Sequence, residues 1–169
     1  MAAWTVLTLW ISVNLNAVPP ATFNHVRSDQ ARVRAMISEG YARSTTFRNL
    51  VDAAEELPCV VYIAPIAKLS QGMRGALLHE THGLREMPML RVLLRANLSG
   101  DEAISVIGHE LQHVVEAIRG GGANGVSLTR VFEKLDPAAP ASGARKYETD
   151  AAIHVTVRIR KELRASPRH

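Results

Sequence analysis

The stretch Ile107-Gly108-His109-Glu110-Leu111-Gln112-His113-Val114-Val115-Glu116 constrains this chain more than any other. Ahead of it, Ser99-Gly100-Asp101-Glu102 has the pattern of a capping box, in which a hydroxyl and a carboxylate satisfy the first free N–H groups of a helix. Behind it, Gly120-Gly121-Gly122 supplies a stop. The pattern predicts a helix from about Gly100 to Arg119. At about 100° per residue, Ile104, Ile107, Leu111, Val114, Val115 and Ile118 fall in one narrow stripe, the core face. His109, His113 and Glu116 fall almost opposite. A helix so built packs on one side and lines a cleft with the other.

His109 and His113 are four residues apart and therefore stand one turn above each other. Two imidazoles so placed can hold one Zn²⁺, and Glu110 between them can reach a metal-activated water as general base. Two surface histidines on an amphipathic helix would be the plainer reading, but the caps and the clean apolar stripe favour metal binding. His109-Glu110-Leu111-Gln112-His113 resembles the active-site helix of the zincin metallopeptidases. In that family a third ligand comes from a later element, and a small sheet lies above the helix with its edge strand pairing the substrate backbone. The resemblance is sharp over about Ser99 to Gly120 and architectural elsewhere.

A catalytic zinc has three protein ligands and one open position. Candidates for the third are Glu116, Glu148, His154, Asp136 and Asp150. Glu116 continues along the same helix as the histidines, and three ligands in a row do not surround a tetrahedral ion, so it suits a supporting place at the rim. Glu148 lies in line with Ala152, Val155 and Ile159 on a final helix expected from about Ala144 to Leu163. An inward carboxylate is costly unless paired or metal-bound, and a buried salt bridge is the competing explanation. With Glu148 as third ligand the site would be gluzincin-like. The thirty-four residues between His113 and Glu148 depart from the shorter gap of that group's best-known peptidases.

The 169 residues fit one compact domain, and 47% hydrophobic residues suit a globular mixed fold. Net charge is +4 and the pI about 9.6, with cations clustered only near the C-terminus. Arg158, Arg160, Lys161 and Arg164 there match what a helix dipole favours at its end, without interleaved aromatics, so no nucleic-acid partner is expected. The one cysteine, Cys59, excludes an internal disulfide and a cysteine-rich zinc site; its apolar surroundings predict a buried strand residue.

Along the chain, residues 1–18 form an apolar leader around Trp4 to Val13. It reads as a signal peptide or, since residues 5–11 partly alternate, as a first strand; it is too short to span a membrane. On the first reading the protein is exported or periplasmic, otherwise cytoplasmic. After Pro19-Pro20, residues 19–169 form a single zincin-like domain. Ser28-Asp29 starts a helix that Gly40 would stop, and a second runs from about Thr45 to Pro58, with Arg43 and Arg48 on a solvated face. Strands are expected at Cys59–Ile63, Ala76–Thr81 and Leu90–Ala96, and a short helix from Ser127 to about Leu135. His79-Glu80-Thr81-His82 reads as strand, which points neighbouring side chains apart and so argues against a second metal site.

The expected fold is α+β, a small mixed sheet of three to four strands packed on the His109–His113 helix and further helices. The expected function is zinc-dependent hydrolysis of a peptide bond by a monomeric metalloendopeptidase. His109, His113 and Glu148 would hold one Zn²⁺, Glu110 would be the base, and the partner would be a peptide or protein substrate. Tyr147, His154 and His82 are candidates for steadying the oxyanion. The alternative is a non-catalytic zinc-binding or scaffold domain of zincin type.

Overall fold

The computed structural model describes residues 22–69, 72–80, 87–98, 100–121 and 148–166. The expected leader, the Ser127–Leu135 helix, and the side chains of Ser99, His82 and Tyr147 lie outside them. The fold is α+β. Its elements run β1 (Val26–Arg27), α1 (Ala31–Arg43), α2 (Thr45–Glu55), β2 (Val60–Ile66), β3 (Gly75–Glu80), β4 (Met89–Arg95), α3 (Gly100–Arg119) and, last, α4 (Asp150–Ala165).

The strands form one mixed sheet in the order β1-β2-β4-β3. β1 and β2 are parallel, β2 and β4 are parallel, and β3 runs antiparallel to β4. Alternation decides the faces: Val61, Ile63, Leu90, Val92 and Leu94 are buried, while the residues between them are partly exposed or exposed. α1, α2 and α3 contact the strands, and α4 packs on α3, α2 and α1. Ile104, Ile107, Leu111, Val114, Val115 and Ile118 of α3 all enter the core with Phe47, Ile37 and Ile159. All six residues of the expected stripe are buried, but so are Val106, Glu110 and His113 outside it, so the buried surface of α3 is wider than one stripe.

Three expectations change. α1 does not stop at Gly40 but runs through it to Arg43. A Cβ at Gly40 would stand 2.7 Å from Ile104 Cγ2 and 2.9 Å from the Phe47 ring, so glycine serves close packing here rather than termination. The turn comes at Ser44, whose Oγ accepts the Phe47 N–H at 3.0 Å and caps α2. Arg43 is not solvated: it pairs with Glu39 and, at 2.8 Å, with Asp101, and it donates to the carbonyls of Leu163 and Ser166 at 2.6 and 2.7 Å. It thus binds the start of α3 to the open carbonyls at the end of α4. Arg48 lies along Tyr41, donating to the Tyr41 carbonyl at 2.9 Å. β1 has only two residues, too few to carry a periodic signal. Among the described residues no helix is long and apolar enough to cross a membrane.

Candidate metal centre

α3 carries His109, Glu110 and His113 on the expected helix, yet these residues do not line an open groove. His113 and Glu110 are 5% and 6% exposed. α4 covers the histidine side of α3, and β3 and β4 approach it from the sheet. Close approach of α4 depends on Gly108, where a Cβ would collide with Ile159 Cδ1. Ala152 of α4 is buried as well, whereas Ala151 is exposed.

The two imidazoles meet edge to face, with His109 Nε2 and His113 Nε2 3.1 Å apart. Their other nitrogens are engaged outward. His113 Nδ1 lies 3.1 Å from Glu116 Oε2. His109 Nδ1 lies 3.0 Å from Thr156 Oγ1, and the Thr156 hydroxyl donates its own proton to the Ala152 carbonyl at 2.9 Å. With that proton directed at Ala152, Thr156 Oγ1 faces His109 Nδ1 as an acceptor, the arrangement that suits an Nδ1–H tautomer. Burial pushes the Glu116 carboxyl up, but hydrogen bonds from His113, Gln112 and Thr149 outweigh it and leave the group below its ordinary value. Glu116 is thus an acceptor, and His113 Nδ1 carries a proton as well. The two Nε2 atoms thus face each other across the space between the rings.

Glu148 approaches the pair, with Oε2 3.5 Å from His109 Nε2. Glu148 is not on the last helix as expected. That helix begins at Asp150, with Thr149 as its N-cap, so Glu148 lies in the segment leading into it. The single Thr149 hydroxyl has two tasks. It accepts the Ala152 N–H at 3.2 Å and donates to both Glu116 oxygens at 3.0 and 3.1 Å. Gln112 supports the same carboxylate at 2.9 Å.

Among the described residues no group of three or more His, Cys, Asp or Glu side chains forms a ready-made metal cage. The two spacings from His109 Nε2 nevertheless match those of neighbouring ligands on a tetrahedral ion. Ligands at about 2.1 Å around a tetrahedral zinc stand about 3.4 Å from each other, close to the 3.1 and 3.5 Å separations measured from His109 Nε2. Holding each ligand imidazole through its far nitrogen is also the usual way a metal-binding histidine is oriented.

Thr149 and Thr156 were not among the expected residues. Thr149-Asp150 has the composition of a helix start and could have been recognised; nothing local marks Thr156. His154 is exposed on α4, as is Asp150. Cys59 is fully buried, and burial pushes its thiol up to about 11. Comparison with protein-family models, with curated proteins and with solved structures finds no match to this chain.

Proposed function

We propose that the protein is a zinc-dependent peptide-bond hydrolase, a small metalloendopeptidase of zincin type. His109, His113 and Glu148 hold one Zn²⁺, and Glu110 acts as general base. The observation that carries this reading is the approach of both His113 Nε2 and Glu148 Oε2 to His109 Nε2, at 3.1 and 3.5 Å, with Glu148 coming from a stretch far from the histidines in sequence. When bound, zinc supplies Lewis acidity that polarises a carbonyl and brings the pKa of water towards neutrality.

The protein's own residues do the rest. Thr156 and Glu116 hold the two Nδ1 atoms from behind, which turns both Nε2 atoms towards the ion. The Glu110 carboxylate takes the proton of the attacking water and passes it to the nitrogen of the leaving amine. β3, at the sheet edge and in contact with α3, offers a backbone against which an extended peptide can lie as a further strand.

Glu110→Gln tests the reading, because it keeps the size of the side chain and removes the base. Hydrolysis of a peptide library should be lost while zinc stays bound at one ion per chain. Activity surviving that change would exclude the mechanism.

A second reading draws on the low exposure of Glu110 and His113. In it the domain binds zinc without catalysis, as a stabilised scaffold. Removal of zinc would then lower the melting temperature, and no peptide in the library would be cut by the wild type.

A further inference from the structure

Gly75 opens β3 directly over α3. A Cβ placed there would stand 2.5 Å from Glu110 Oε1, 2.9 Å from Glu110 Cγ and 2.9 Å from Val106 Cγ1. Val106 and Glu110 are one turn apart on α3, so the strand backbone rests on the helix face that carries the base. Gly75 is not among the glycines with positive φ. Its backbone would accept any residue, and glycine is required there for space alone. In the sheet it pairs with Leu94, whose side chain is buried. An ordinary strand would bury an apolar side chain at Gly75 too; here that volume belongs to the Glu110 carboxylate.

We propose that Gly75 is a positioning residue: by lacking a side chain it sets where the Glu110 carboxylate stands beside His109 and His113. The inference rests on the hydrolase reading above. It identifies a residue of the edge strand, far from the histidine helix in sequence, that acts on the reaction only through Glu110. Of the atoms a methyl group would meet, Oε1 is the end of a rotatable side chain and gives way first. The carboxylate moves; the histidines, held from α4 and by Glu116, do not.

The test compares Gly75→Ala with wild type, Glu110→Gln and the double variant. Zinc affinity of Gly75→Ala, read by chelator competition, should fall by less than about tenfold, because no ligand or ligand support is touched. Its kcat should fall by about 100-fold, the usual loss when a reacting group is misplaced by about 1 Å, with KM unchanged. The second readout is the visible spectrum of the Co²⁺-loaded protein, whose bands respond to a charged group beside the ion. Gly75→Ala and Glu110→Gln should alter it alike, and the double variant should add nothing.

Should Gly75→Ala fail to fold, Gly75→Ala with Val106→Ala relieves the contact with Val106 and keeps those with Glu110. A wild-type kcat or an unaltered Co²⁺ spectrum in a folded Gly75→Ala variant overturns the proposal and leaves the hydrolase reading standing. A wild type that binds Co²⁺ but cuts no peptide removes the hydrolase reading, and the spectra alone then decide whether Gly75 places Glu110. A wild type that binds neither metal overturns both.

Discussion

His109 Nε2 and His113 Nε2 face each other at 3.1 Å, each imidazole held from behind through its Nδ1. The partner of one is Thr156 on α4, and the partner of the other is Glu116 on α3. The pair is therefore set by two helices rather than by the spacing on one. Its consequences can be measured.

Thr156→Val keeps the shape of the side chain and removes the acceptor for His109 Nδ1. Zinc affinity should fall by about 10- to 100-fold, the range for losing a group that orients a ligand. Thr156→Ser, which restores the hydroxyl, should recover most of it. Chelator competition on the two variants gives the comparison, and equal affinities would show that His109 needs no support from α4.

Glu148 and Glu116 should differ in kind. Glu148→Ala removes a proposed ligand and should reduce zinc affinity by several orders of magnitude. Glu116→Ala leaves the three donors and should cost about 10- to 100-fold. A reversed order, measured by the same titration, would move the third ligand from Glu148 to Glu116.

Arg43 joins α1 to Asp101 at the start of α3 and to the Leu163 and Ser166 carbonyls. Arg43→Met keeps much of the stem and removes every donor. It should destabilise the fold by about 2–3 kcal/mol, the scale of hydrogen bonds to a charged group, as read from urea unfolding with m unchanged. A change within about 0.5 kcal/mol, typical of surface positions, would mean that the carbonyls at the end of α4 are equally well served by water.

Glu162 carries a pH dependence. Partial burial would raise its pKa, but the Ser44 hydroxyl, the Thr46 hydroxyl and N–H, and the charge of Arg158 together hold it below its ordinary value of 4.5. The unfolded chain therefore takes up this proton at a higher pH than the folded one. The stabilisation is complete above the ordinary carboxylate value and is lost as pH falls through the folded-state pKa. Glu162→Gln should lower stability at neutral pH and flatten the acid side of a pH–stability curve. Parallel curves for the two proteins would rule out this contribution.

The helix Gly100–Arg119, its core stripe, the α+β class and the alternating strand Met89–Arg95 were all legible in the sequence. Each is local periodicity expressed against a single apolar core, and a period can be counted along one chain. Ends and contacts were less legible. Gly40 looks like a stop and is a contact, Arg43 looks solvated and is a tie, and Glu148 looks helical and precedes the helix. A glycine or an arginine has the same local chemistry in either role, and only the neighbouring element decides between them.

At the candidate site the division is equally plain. The sequence alone determined that His109 and His113 share one helix face, because 3.6 residues per turn leaves no alternative for this spacing. Tertiary structure decided that their Nε2 atoms meet at 3.1 Å, that Glu148 approaches one of them, that Thr156 stands behind the His109 imidazole and that Gly75 lies against Glu110. All but the first are contacts between residues more than thirty positions apart along the chain. They follow from how α4 and β3 pack on α3, which no local pattern encodes.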